Sequence, residues 1–296
     1  MHVAVLGAGV VGVTTAYQLL QDGHKVTLVD RAGDPASFTS FANAGLVAPG
    51  HAYAWASPRA PAMMLRSLWR NDQAIRLRPT FNIAQWSWLA KFLAECTDQR
   101  AAATTAIKAR LCAYSQSILH EVVKDTGVRY DANSGGLVYF YRTPSRFTAA
   151  AARADILRRQ GLVIESLDRQ ALVACDPGLA RAAAGIAGAL FARGDESGDA
   201  MLFTRALAAV CLARGMTFRS ATTITAIEVR GDNVTGVASD RGPITADAYV
   251  LALGVHSPQL VRGLGIRLPI YPVKGYSMTV PVTDAAQMVR LGGVDD

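Results

Sequence analysis

The sequence has no run of about 18 consecutive apolar residues, so no membrane-spanning helix is predicted, although 51% of its 296 residues are hydrophobic. The apolar start Val3–Leu6 is also too short for a signal peptide, and glycines interrupt it at once. Cysteine is scarce. Cys96, Cys112, Cys175 and Cys211 lie far apart and none forms a C-x-x-C pair, which argues against a zinc or dithiol site. They read as buried thiols in a reducing compartment. Charged residues make up only 18%, and the formal net charge of +7 is scattered along the chain. Arg153, Arg158 and Arg159 share one helical stretch, and basic residues do not alternate with aromatics, so nucleic acid is not expected as a partner. A solvated basic surface, with weak attraction to an anionic membrane face or acidic substrates, accounts for the charge. These features predict a cytoplasmic chain, at most peripheral at the inner face of the cell membrane.

Glycine, in contrast, is plentiful and placed with purpose. Met1–Leu6 reads as a short buried strand, Val10–Leu20 has helical periodicity ending near Asp22-Gly23, and Lys25–Asp30 (KVTLVD) reads as a second buried strand. Between the first strand and the helix stands Gly7-Ala8-Gly9-Val10-Val11-Gly12, a G-x-G-x-x-G run, and Asp30 follows Gly12 by 18 residues at the tip of the second strand. The run alone is a weak signal. Strand before, helix after and a downstream acid together give the context that a dinucleotide fingerprint requires. Gly7 permits the tight turn, Gly9 lets backbone approach a pyrophosphate, and Gly12 allows close helix–strand packing. Free N–H groups at the helix start face the phosphates. The Asp30 carboxylate can accept from ribose hydroxyls and disfavours a 2′-phosphate.

The fingerprint does not separate FAD from NAD. Two further segments lean toward FAD: the small-residue loop Ser40-Phe41-Ala42-Asn43-Ala44-Gly45, and Ala252-Leu253-Gly254 at the end of an apolar strand. Small residues allow backbone to lie close to a cofactor, although ordinary turn chemistry would also account for them. The remaining chain divides into helices near Pro61–Arg70, Ile83–Glu95, Ala101–Thr126 and Ser145–Gln160, with a strand at Gly136–Tyr141. The third helix places Ile107, Leu111, Ile118 and Val122 on one face. Past about Gly194 come a helix at Ala200–Arg214 and strands at Met216–Arg219, Thr222–Val229, Val234–Ser239 and Ala248–Leu253. A last strand is predicted from Ile270 to Val280. The expected fold class is α/β, an FAD/NAD(P)-binding Rossmann-like domain with an inserted α+β substrate domain. Its expected parts are 1–80 and 191–265 (nucleotide), 81–190 (insertion) and 266–296 (returning strands).

With these residues in place, the chain resembles the D-amino acid oxidase superfamily of flavoproteins, and within it the bacterial D-amino acid dehydrogenases. The matching pieces run in family order: Val3–Leu19, Val26–Arg31, Thr39–Gly50, Ala54–Pro61, Gly194–Ala208, Ala246–Gly254 and Leu268–Val282. The resemblance implies FAD as cofactor, with Val3, Leu6 and the fingerprint residues Gly7, Ala8, Gly9, Val10, Val11 and Gly12 around the pyrophosphate. Asp30 and Arg31 would hold the adenosine side. Ser40, Asn43, Ala44, Gly45 and Leu46 would line the flavin side, Ile224 would touch adenine, and Ala252 and Gly254 would lie along the dinucleotide. Lys274 and Tyr276 would stand near the reactive end. His51 is a candidate substrate contact or a structural histidine; Tyr53 and Trp55 are pocket wall or core. The implied reaction is oxidation of a D-amino acid substrate, with electrons passed to a quinone or respiratory carrier. The family's chains continue past the equivalent of Asp296, so the resemblance implies a C-terminally truncated piece, completed by a C-terminal portion or a complementary subunit. Relatives acting on sarcosine, glycine or D-hydroxyproline, and an inactive subunit that binds only nucleotide or a partner, are the other readings. A NAD-dependent dehydrogenase ranks last. Asp195, Glu196 and Asp199 have no metal-loop spacing and read as a turn and N-cap; no metal is expected.

Overall fold

Short apolar runs next to glycine become buried parallel strands, and the first two strands of the chain follow that rule. In a computed structural model that describes residues 1–69, 77–278, 280–281, 283–284 and 288–295, the order is β1 (His2–Leu6), α1 (Val10–Gln21), β2 (Lys25–Val29), β3 (Leu46–Val47), α2 (Ala60–Arg66), α3 (Ile83–Ala94) and α4 (Asp98–Thr126). Next come β4 (Leu137–Tyr141), α5 (Pro144–Arg158), β5 (Ile164–Leu167), α6 (Arg169–Cys175), β6 (Gly188–Ala192), β7 (Glu196–Ser197) and α7 (Ala200–Ala213). The last are β8 (Thr217–Arg219), β9 (Ile224–Arg230), β10 (Asn233–Ser239), β11 (Ala248–Leu251), α8 (Ser257–Val261) and β12 (Gly292–Asp295). Arg70, the expected end of the first inserted helix, lies outside the described residues.

Two compact units result, one from Met1–Gly45, Val122–Asp131 and Gly198–Ser277, the other from Leu46–Glu121, Ala132–Ser197 and Met278–Asp296. The switch at Gly45 comes earlier than the expected boundary near 80. The tail of α4 also returns to the first unit, because Asp125 accepts a hydrogen bond from Tyr17 there. Such long-range pairing leaves no mark in local composition.

The first unit is built on a parallel sheet of order β11-β1-β2-β8. Val3, Ala4, Val5 and Leu6 are all buried, as a strand covered on both faces must be. On one side α1 packs against α7; Val13, Ala16 and Tyr17 are buried on the first helix and Phe203, Leu207 and Cys211 on the second. On the other, the antiparallel β9–β10 hairpin contributes Ile224, Ile227 and Val237 to a core with Ala4, Leu6 and Val29. Gly23, just past α1, has φ +77 and ends the helix as expected.

The second unit contains a sheet of order β12-β4-β6-β5, with β12 parallel to β4 and the other pairs antiparallel. Strand β4 (LVYFY) shows why two layers cover it. Leu137, Tyr139 and Tyr141 point into a core with Ala150, Ala154 and Leu157 of α5, while Val138 and Phe140 point to Leu172 of α6 and to Leu179 and Ile186. Strands β5, β6 and β12 were not expected from the sequence.

Three local expectations are corrected. Ile107 and Leu111 of α4 are 58% and 63% exposed, whereas Thr105 and Ala109 are buried; of the expected face Val122 is buried and Ile118 half-buried, so the inward face shifts to smaller side chains only in the first part of the helix. The described residues between Ile270 and Val280 form no strand. Of the cysteines only Cys211 is buried, and Cys175 is exposed.

Candidate functional site

Parallel sheets open a crevice at the carboxyl ends of their strands, where successive crossovers part. In the first unit such a crevice of about 980 Å³ lies over the ends of β1, β2 and β11, within the size range of small-molecule and cofactor sites. Its lining includes Gly7, Ala8, Gly9, Val10, Val11, Asp30, Arg31, Ser40, Ile224, Ala252 and Gly254. Eleven of the expected cofactor residues are therefore brought together.

The three glycines of the fingerprint have different jobs. Gly7 has φ +113, and a Cβ there would stand 2.4 Å from the Ala252 carbonyl oxygen. A Cβ on Gly12 would stand 1.8 Å from the Gly7 carbonyl oxygen. Both are required by the fold itself. Gly9, the N-cap of α1, is different: a Cβ there would meet only the Ser40 Oγ, at 3.3 Å. Its bare backbone faces the crevice, which makes it a cradle that a side chain would fill.

Hydrogen bonds organise the loop before any ligand arrives. Gly7 N–H donates to the Val29 carbonyl at 2.8 Å, and Ala8 N–H donates to Asp30 Oδ2 at 2.7 Å. Asp30 Oδ1 also accepts from Ala32 N–H at 2.8 Å. The carboxylate thus buttresses the glycine loop, and each oxygen retains a lone pair for a further donor. Ser40 Oγ accepts from Val10 N–H at 3.0 Å. The N–H groups of Gly9 and Val11 have no acceptor among the described residues, and no acidic side chain stands in the first turn of α1. Unsatisfied amides at a helix start form an anion site.

At the far end of the crevice the Arg31 guanidinium lies 4.3 Å from the Phe38 ring centroid and pairs with His256 Nε2 at 3.1 Å. Phe38 and His256 were not among the expected site residues. A basic side chain meeting an aromatic 7 positions on and a histidine from another strand end has no sequence signature.

Other expected residues lie elsewhere. Val3 and Leu6 are buried within β1, under the floor of the crevice. Asn43 and Ala44 are exposed and do not line it; Asn43 Oδ1 accepts from Gly45 N–H at 2.8 Å in a tight turn. Gly45 is pressed against Gly198, where a Cβ would come within 2.0 Å of its carbonyl oxygen. Leu46 begins β3 in the other unit, paired with Ser197. Lys274 and Tyr276 pack on each other, Nζ 5.0 Å from the ring centroid, on an irregular exposed segment that does not line the crevice. His51, in the second unit, stacks on Tyr139 at 4.3 Å and meets Tyr53 edge-on at 5.4 Å.

Beside His51 is a buried polar node. Asp195, 2% exposed, accepts from Tyr139 O–H and Gly50 N–H, both at 2.7 Å. Burial raises its carboxyl to about 6, against the lowering effect of those two hydrogen bonds. Burial, with the neighbouring carboxylate, also raises the Tyr139 hydroxyl, which stays protonated. The sequence reading placed Asp195 in a turn. Asp199 does cap α7, accepting from Leu202 N–H at 2.8 Å.

The fold and crevice define a dinucleotide-binding protein of the Rossmann type. Residues 2–295 match the DAO family, FAD dependent oxidoreductase. The D-amino acid dehydrogenase of Granulibacter bethesdensis is 44% identical over 284 residues, covering 96% of this chain and 68% of that protein. That of Rhizorhabdus wittichii is 44% identical over 287 residues, 97% of this chain and 69% of the relative. Among solved structures, glycine oxidase from Geobacillus kaustophilus superimposes with a TM-score of 0.62 at 21% identity, over 90% of this chain and 58% of that one. The chain belongs to the DAO family of FAD-dependent oxidoreductases, and its cofactor is FAD. It spans roughly two thirds of the length of the dehydrogenases it resembles and 58% of the glycine oxidase.

Proposed function

We propose that this chain carries the FAD-binding part, and some of the substrate-binding part, of a D-amino acid dehydrogenase. Gly9 carries the reading: a helix-start glycine that lines the crevice, where a Cβ would meet only the Ser40 Oγ at 3.3 Å, and whose amide, like that of Val11, has no acceptor among the described residues, in a chain 44% identical to proteins named for that activity. On this reading Gly9 and Val11 N–H groups hold the pyrophosphate, Asp30 takes ribose hydroxyls on its remaining lone pairs, and Ile224 and Arg31 flank the adenosine. The first unit is the nucleotide domain and the second belongs to the substrate domain. Bound FAD supplies the hydride acceptor at N5 that oxidises the substrate at Cα, giving an imino acid that water hydrolyses to a 2-oxo acid and ammonia.

The chain's own part is orientation and electrostatics. The α1 N-terminus stabilises negative charge, and the Asp30 bonds to Ala8 and Ala32 hold the loop in its receiving shape. A quinone or respiratory carrier would take the electrons, in the cytoplasm at the inner membrane face, and a C-terminal portion or complementary subunit would complete the substrate site. No helix among the described residues is long and apolar enough to cross a membrane.

Titration of the flavin-free chain with FAD, followed by flavin fluorescence, tests the cofactor assignment. Saturable binding is expected, lost in Gly9→Val while circular dichroism is unchanged. Undiminished binding in that variant would overturn the site. Reduction of an artificial acceptor by D-alanine and not by L-alanine tests the substrate.

A further inference from the structure

We propose that Phe38 and His256 are positioning residues for Arg31, holding its guanidinium as the flat surface that receives the adenine base of the cofactor. This rests on the reading of the crevice given above and deepens it: that reading sets Arg31 beside the adenosine, and neither Phe38 nor His256 has a part in it.

A dinucleotide with its pyrophosphate on the Gly9 and Val11 amides and its ribose at Asp30 extends past the tip of β2, and Arg31 is the next residue. The main chain there is fixed. The Asp30 carbonyl accepts from Thr222 N–H and the Ala32 carbonyl from Ala221 N–H, both at 2.8 Å. The Arg31 side chain is exposed and has no carboxylate partner among the described residues, and the Asp30 oxygens already accept from Ala8 and Ala32 N–H groups. An exposed arginine of this kind samples many rotamers unless something holds it.

Two contacts do. Cζ lies 4.3 Å from the Phe38 ring centroid, and Nη2 is 3.1 Å from His256 Nε2. A guanidinium only donates, so His256 Nε2 accepts, and the pairing uses the neutral ring with its proton on Nδ1. Both holders are themselves tied down. Phe38 lies between two links to the fingerprint loop: Ala36 N–H donates to the Ala8 carbonyl at 2.9 Å, and Ser40 Oγ accepts from Val10 N–H. His256 ends a single 3-10 turn after β11, Gly254–His256, where Gly254 has φ +53 and His256 N–H donates to the Leu253 carbonyl at 3.1 Å. All three side chains line the crevice, Phe38 with half its surface open to water. A planar cation with one face over Phe38 has a second face for another ring. An aromatic ring and a neutral acceptor hold that cation without neutralising it, which suits a flat base better than an anionic group, for which a lysine on a free stem would serve.

The test is competition against FAD, read by flavin fluorescence, with ADP and with ribose 5-diphosphate, which keeps the sugar and phosphates and lacks the base. Arg31→Ala should weaken ADP binding about tenfold, and Phe38→Leu and His256→Ala about threefold each. Arg31→Lys keeps the charge and loses the plane; it should weaken ADP about fivefold and leave ribose 5-diphosphate unchanged, as should Phe38→Leu and His256→Ala. His256→Gln restores a neutral acceptor and should recover most of the ADP affinity. In the Arg31→Ala background neither Phe38→Leu nor His256→Ala should weaken ADP further, because a positioning residue then has nothing to hold. Circular dichroism establishes that each variant folds. Equal weakening of both ligands by Phe38→Leu or His256→Ala, losses that multiply in the double variants, or a His256→Gln variant no better than His256→Ala overturns the proposal. Gly9→Val separates it from the reading beneath it. FAD binding lost in Gly9→Val but undiminished in Arg31→Ala sinks the adenine surface alone, whereas binding undiminished in Gly9→Val removes the site itself.

Discussion

Asp195→Asn gives a direct measure of what the buried node in the second unit costs. The carboxyl is shielded from water, and burial raises it to about 6 from the ordinary 3.8. The gap, at about 1.36 kcal/mol per pH unit, is about 3 kcal/mol. A group whose folded value is raised contributes stability that is complete below its unfolded value and is lost as pH climbs through the folded one. Between roughly pH 4 and pH 6 the wild-type chain should therefore lose up to about 3 kcal/mol that it would keep with a neutral side chain. The substituted amide is neutral throughout. It can still offer an oxygen to Gly50 N–H and turn its NH₂ toward the Tyr139 oxygen, at the expense of one bond from the Tyr139 hydroxyl. Urea unfolding of both proteins from pH 4 to pH 8 isolates the effect, because the other carboxylates cancel in the difference. The variant should be equal to or slightly less stable than wild type at pH 4, gain steadily to about pH 6.5 and level off above it. A difference that is flat across this range, or that falls as pH rises, would show that the two hydrogen bonds outweigh desolvation and would refute the reasoning.

Other outcomes test the crevice. Gly12→Ala puts a methyl group against the Gly7 carbonyl and should destabilise the first unit by about 1–3 kcal/mol or more, read as a lower unfolding midpoint; Gly9→Ala should leave that midpoint nearly unchanged and weaken FAD binding. Asp30→Ala removes the acceptor for two backbone amides and should cost about 1–3 kcal/mol in stability together with flavin affinity, both measurable in one titration series. In the second unit, Asp176 is fully buried and accepts from Gly178, Arg290 and Leu291 N–H groups. Asp176→Ala should leave those donors unpaired and expose the 288–295 segment to rapid proteolysis, detected by mass spectrometry of limited digests.

Much of this fold could be read before any coordinates. β1, α1 and β2 are contiguous, each is specified by its own periodicity, and the glycines between them obey local sterics, so Gly7, Gly9 and Asp30 line the crevice and Gly12 packs beneath it against the Gly7 carbonyl. The β9–β10 hairpin was legible for the same reason, with Gly231 at φ +59 in its turn. The candidate site was legible only as far as its contacts are local. Asn43, Ala44 and Gly45 share small size with residues that line cofactor sites, but small residues also serve tight turns, and here the turn is what Asn43 and Gly45 form. The resemblance puts Lys274 and Tyr276 near the reactive end of the cofactor, and the strand expected from Ile270 to Val280 is not formed by the described residues.

What tertiary structure alone decided was the pairing of distant segments. Ser40 supplies an acceptor to Val10, His256 meets Arg31, and Asp195 reaches Gly50 and Tyr139 across more than 50 positions. The second sheet likewise joins β4, which was expected, to β12, β6 and β5, whose short runs do not read as strands singly. Local periodicity reports which face of an element turns inward. It carries no information about which other inward face waits there, because that choice is made by packing and hydrogen bonding once the chain has closed on itself.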